Sequence, residues 1–134
     1  MLRQVFYTGS SGCGKTRLVE AIANEAGVPF YPILVSQLQS KWKGESERLV
    51  TKLFQTVRKN DAAVIFLDEV EPLMGTRAEN DSMGTLKSLF LQHMEGIESR
   101  NSECFILLVA ATNKPEQLGI IYFLDAIHAN YELI

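Results

Sequence analysis

The chain has 134 residues, 46% of them apolar and 22% charged, which suits one globular domain and excludes a disordered chain. Its net charge of −3 is spread without a basic block, which argues against nucleic acid as a partner. Cys13 and Cys104 form neither a disulfide framework nor a metal spacing, no leader precedes "QVFYT", and no apolar run could span a bilayer, so a cytoplasmic, reducing location is expected.

In chain order, "VFYT" (Val5–Thr8) reads as a strand and runs into the glycine-rich "GSSGCGKT" (Gly9–Thr16). A helix is expected from about Lys15 to Ala26, with Leu18, Val19, Ile22, Ala23 and Ala26 on one stripe and Gly27 as its stop. "FYPIL" (Phe30–Leu34) is a second strand. A second helix, about Glu45 to Lys59, is apolar at Leu49, Val50, Leu53, Phe54 and Val57. "AVIFL" (Ala63–Leu67) is a third strand and ends at Asp68-Glu69. "GTRAENDSMG" (Gly75–Gly84) reads as a long polar loop, followed by a helix from about Met83 to Glu95 and a last strand, "CFILLVAAT" (Cys104–Thr112). The strands are unbroken apolar runs, as in strands covered on both faces, and strand–helix alternation implies an α/β fold with a parallel sheet.

The opening segment fits G-x-x-x-x-G-K-S/T with Gly9, Gly14, Lys15 and Thr16 in the fixed places. Glycines let successive backbone N–H groups turn inward around an anion without a Cβ clash. The new helix points its positive end at the same anion. Lys15 supplies a compact charge for the β- and γ-phosphates of ATP, and the Thr16 hydroxyl is a Mg²⁺ ligand. The cofactor-binding set is Gly9, Ser10, Ser11, Gly12, Cys13, Gly14, Lys15, Thr16 and Arg17, together with Asp68. Nucleotide kinases use the same loop, so the loop alone leaves hydrolysis and phosphoryl transfer to a small molecule both open.

The acidic pair bears on that choice. Ligands of open parallel sheets sit beyond the carboxyl ends of the strands. There Asp68 would hold Mg²⁺, largely through water, and Glu69 would polarise an attacking water. A kinase has no use for a second carboxylate that activates water. Taken alone, the pair is equally a solvated strand end.

Four segments together resemble the AAA ATPases: "GSSGCGKT", "SKWKGESERLVTKLF" (Ser40–Phe54), "VIFLDEVEPLMGTR" (Val64–Arg77) and "VAATNKP" (Val109–Pro115). The second and third are most similar to the branch holding the vacuolar protein sorting ATPase of the ESCRT pathway, katanin and spastin. The resemblance covers about Val5 to Leu118, leaves 119–134 as a divergent tail, and makes residues 1–134 the core of the family's large subdomain. It implies a P-loop NTPase fold of three α/β/α layers with four clear strands, the family's fifth strand and helical lid being absent. It implies ATP, ADP and Mg²⁺ as ligands, a polypeptide substrate, and a ring of like or related subunits, with peripheral membrane attachment through adaptors allowed. Asn113 matches the family's first sensor, beside Lys15 and Glu69 in the catalytic set. Lys41, Trp42 and Lys43 match the pore loop that grips a translocating chain, and Gly75–Gly84 the second such loop. Independently of the family, a tryptophan between two lysines and off the apolar stripe is costly to expose unless something binds it, or else it packs on its own domain. His93, on the stripe of the third helix, reads as a helix-face residue and not a ligand, His128 is isolated and lacks ligand spacing, Cys13 carries no assigned redox role, and Met83 and Met94 read as loop and core.

The pattern departs from the family in three places. Eight residues precede Gly9, so the family's adenine-packing segment lies outside the chain. The helix "GTLKSLFLQHMEGI" lacks the paired arginines usual near its start. No arginine follows Arg100, and His128, Ala129 and Asn130 stand where the family's arginine fingers would be. A guanidinium is not replaced by Asn or by a mostly neutral His, and such fingers contribute roughly 10³–10⁵ in rate. Two functions from different classes follow: the ATP-hydrolysing core of a remodelling motor, or a nucleotide-binding interaction protein that does not turn over ATP. Without a fifth strand, "VFYT" would be left as a bare sheet edge, which the tail could cover.

Overall fold

A computed structural model describes residues 2–8, 14–39, 44–70, 73, 81–99, 104–112 and 131–133. Within them the elements are β1 (Leu2–Thr8), α1 (Lys15–Ala26), β2 (Phe30–Leu34), α2 (Val35–Gln39), α3 (Glu45–Val57), β3 (Ala62–Asp68), α4 (Asp81–Ser99), β4 (Phe105–Thr112) and β5 (Tyr131–Leu133). All strand pairs are parallel, in the order β2-β3-β4-β1-β5.

Side chains alternate across the sheet, and each face buries a different set. On one face Val64 and Phe66 of β3 and Val109 and Ala111 of β4 meet Val19 and Ala23 of α1. On the other, Ala63, Ile65 and Leu67 join Ile106, Leu108 and Ala110 beneath α3 and α4, which contribute Val50, Phe54, Val57, Leu86, Phe90 and Met94. β3 is therefore sealed on both sides, and its buried run Ala63–Leu67 shows no polar alternation. The three layers agree with the expected α/β fold. At the β2 edge Pro32 is exposed, and a proline there blunts strand addition.

Several expectations need correction. The sheet has a fifth strand: Gln4, Val5 and Phe6 of β1 pair with Tyr131, Glu132 and Leu133. A run of three residues is too short for a periodic signal, whereas the unpaired polar groups along β1 supply the demand for it. Helix α2 was not expected, because five residues cannot display helical spacing. The expected polar loop Gly75–Gly84 overlaps α4, which begins at Asp81, and its earlier residues lie outside those described. The apolar stripe of α1 is wider than its buried line: Leu18 and Ile22 are 48% and 55% exposed. The helix rests on the sheet through Val19 and Ala23, and Lys15 is its one other buried residue.

Candidate functional site

The described part of the phosphate loop, Gly14–Thr16, is the turn into α1. Gly14 caps the helix at φ 73°, a left-handed conformation natural to glycine. The first helical bond runs from the Leu18 N–H to the Gly14 carbonyl at 3.0 Å. No side chain caps the start of α1, and no acidic residue occupies its first turn. Such an end suits an anion by both hydrogen bonding and dipole. Lys15 follows at once and is only 8% exposed, one of two buried polar residues among those described. Thr16 is half-buried and Arg17 exposed.

The acidic pair closes β3. Asp68 is half-buried at the strand's last position and Glu69 is exposed one residue beyond it. Glu69 adopts φ 52°, the one left-handed non-glycine among the described residues. Its N–H donates to Asp68 Oδ1 at 2.9 Å, and Val70 N–H reaches the Ala111 carbonyl at 3.3 Å, which ties the turn to β4. The side chain is held too: Ser36, at the start of α2, donates its hydroxyl to Glu69 Oε2 at 2.7 Å. Leu34 pairs with Asp68, so the residues just after β2 stand beside this corner.

Register places the two halves together. Thr8, the last residue of β1, pairs with Thr112 at the end of β4, and Ala110 pairs with Leu67, one residue before Asp68. The turn into α1 and the two acids therefore leave the same edge of the sheet. Strands β1 and β3, from which they leave, are separated by β4, two strand spacings or about 10 Å.

Thr16 and Asp68 offer hard oxygen donors, and no cluster of three or more His, Cys, Asp or Glu side chains gathers among the described residues. Two oxygens fit a magnesium ion that keeps most of its waters, and do not make a closed all-protein site. Gly9, Ser10, Ser11, Gly12 and Cys13 of the loop, Lys41, Trp42 and Lys43, Asn113 and His128 lie outside the described residues. Of the bland assignments, Met94 is core at 1% exposure. Cys104 is buried, its thiol pushed up by burial and donating weakly to the Val57 carbonyl at 3.7 Å. It is inert by position.

The sequence profile described as "ATPase family associated with various cellular activities (AAA)" matches residues 5–127. The chain belongs to the AAA family. It is 41% identical over 118 residues to "Fidgetin-like protein 1" of Drosophila melanogaster, covering 87% of this chain and 22% of that protein. It is 43% identical over 116 residues to "Vacuolar protein sorting-associated protein 4B" of Mus musculus, covering 84% of this chain and 26% of that protein. The chain thus spans about a quarter or less of these relatives. Among solved structures, "Crystal structure of FIGL-1 AAA domain" aligns at a TM-score of 0.78 and 30% identity, covering 98% of this chain and 43% of that one. The branch indicated by the motifs, that of the vacuolar protein sorting ATPase, is represented among these AAA relatives. No helix among the described residues is long and apolar enough to cross a membrane.

Two polar side chains here escaped the motif reading. Ser36 touches Glu69, and Ser46 is the second buried polar residue. The only sequence signal for Ser36 was positional, since a residue just past β2 must lie beside the end of β3 once those strands pair. Lone serines in "LVSQLQS" and "GESE" carry no such mark.

Proposed function

We propose that this chain is the nucleotide-binding core of a remodelling ATPase, taking ATP with Mg²⁺ and using its hydrolysis to act on polypeptides within an AAA ring. The observation that carries the proposal is the shared edge. One parallel sheet delivers the left-handed Gly14 turn with the buried Lys15, and the Asp68-Glu69 pair, to the same side. In this reading the N–H groups of the loop Gly9–Thr16 and the start of α1 bind the phosphates, and Lys15 offsets the charge on the β- and γ-groups. Thr16 and Asp68 hold the magnesium ion, which neutralises phosphate charge when bound. Glu69 accepts the proton of the attacking water, with Asn113 as a hydrogen-bonding partner at the γ-phosphate. The Ser36 bond occupies one oxygen of Glu69 and leaves the other to accept the proton. Lys41, Trp42 and Lys43 contact the polypeptide, and the family's cytoplasmic, oligomeric setting applies.

Lys15→Ala is expected to abolish ATP binding, whereas Glu69→Gln keeps it and removes hydrolysis. Titration of a fluorescent ATP analogue checks both, and equal affinity in the Lys15→Ala variant and the parent would refute the site. A second reading, nucleotide binding without turnover, is favoured by His128, Ala129 and Asn130 standing where the family's arginine fingers would be. Negligible ATPase from the chain alone, restored on mixing with a full-length relative, is the result consistent with a missing finger. Turnover near one per second from the chain alone would exclude it.

A further inference from the structure

Helix α2 covers only part of the helix it lies against. It has five residues, a length of about 7.5 Å, whereas the thirteen residues of α3 extend about 20 Å. The Ser46 hydroxyl donates to the Leu38 carbonyl at 2.7 Å, which sets α2 against the first turn of α3. A pocket of about 210 Å³ remains between β2, α2 and α3. Buried Val50 of α3 and Phe90 of α4 form its base. Pro32 and Leu49 also line it and are exposed, so it opens to solvent on their side. Among the described residues that line it, Gln37 has the one polar side chain and none is charged.

These features select a class of occupant. A held water needs about two to four polar partners, whereas an apolar cavity of roughly 150 Å³ takes a benzene ring. An ion would lose its hydration there without a counter-charge. A pairing strand is disfavoured as well. Val64 N–H donates to the Pro29 carbonyl at 2.9 Å, so by alternation Tyr31 and Ile33 face β3 and the backbone of Phe30, Pro32 and Leu34 faces outward. Proline thus removes the middle donor of the row that an added strand would use.

We infer that this pocket binds a small uncharged apolar molecule, about the size of a substituted benzene ring. None of its lining residues belongs to the phosphate loop or the acidic pair, so its test does not depend on the nucleotide reading.

4-Fluorotoluene and 4-fluorobenzoate are nearly equal in size and differ in charge, and their fluorine resonances report binding to the whole chain. The first is expected to bind saturably, with a dissociation constant on the order of 1 mM, and the second at least about tenfold more weakly. Leu53→Gln, nearly equal in volume, sets an amide in the pocket wall and should weaken 4-fluorotoluene about fivefold. Leu49→Gln, at the exposed side, carries the same expectation should Leu53→Gln fail to fold. Leu18→Gln alters an exposed apolar residue of α1, on the opposite face of the sheet, and should bind as the parent does. No saturable shift up to the solubility of 4-fluorotoluene would overturn the inference. So would equal binding of the two probes, or an equal loss in Leu18→Gln and the pocket variants, since either marks adsorption to exposed surface.

Discussion

At the scale of single residues, the candidate site holds two left-handed backbones with opposite consequences. Gly14 at φ 73° is where α1 begins, and a Cβ built there meets no atom within 4 Å. Space is therefore not the constraint; the backbone conformation is. Gly14→Ala is expected to destabilise the chain by about 1 kcal/mol through that conformation alone. Glu69 at φ 52° carries the corresponding strain in the native state, held by the bonds from Ser36 and to Asp68. Glu69→Gly relieves the strain while losing the exposed Ser36 bond, terms of about 1 kcal/mol each, so its stability should stay near that of the parent. Urea unfolding of the two glycine-related variants checks the pair. If Gly14→Ala proves as stable as the parent, the left-handed turn into α1 is not kept in solution.

At the scale of elements, α3 and α4 meet through a stack of rings. Phe54 lies edge-on to Phe90, centroids 5.9 Å apart, and parallel to the His93 ring at 4.7 Å and 8°. Arg58 sends Nη2 to His93 Nδ1 at 3.3 Å and to the His93 carbonyl at 3.5 Å. A guanidinium only donates, so Nδ1 must accept and the imidazole proton sits on Nε2. Burial first, and the Arg58 charge second, hold the His93 pKa below its ordinary 6.5. The unfolded chain then takes up this proton before the folded one as pH falls. Stability from this group is complete above pH 6.5 and declines below it, toward the lower folded value. Thermal melts of the parent should fall across that window, and His93→Gln should flatten this part of the slope. An unchanged slope in His93→Gln would remove His93 as its source. His93 was legible as a helix-face residue from spacing alone, and so was the apolar line of α3 at Val50, Phe54 and Val57, whereas Leu49, expected on that line, is 42% exposed. The Arg58 partner of His93 was not legible, because no one-dimensional pattern pairs residues of two helices.

At the scale of the whole molecule, legibility followed the length of each signal. The long buried run of β3 and the glycine-lysine turn before α1 carry their structure in consecutive residues, and both stand where expected. The closing strand does not, because Tyr131–Leu133 becomes a strand only through β1, more than a hundred residues earlier. That pairing matters beyond its length. Without β5 the chain's first strand would present an unpaired row of N–H and C=O groups, a template for addition of another chain. Glu132 pairs with Val5 in the middle of the short ladder. Glu132→Pro removes the N–H at that position and fixes φ near −65°, which a strand interior does not tolerate. Most of the core lies under α1, α3 and α4, so the variant should keep its helical circular dichroism. What it should lose is solubility as a monomer: light scattering at micromolar concentration is expected to grow with time in Glu132→Pro and stay flat in Glu132→Thr, which keeps the N–H and favours a strand. Equal scattering from the two would mean that β1 is protected by something other than the tail.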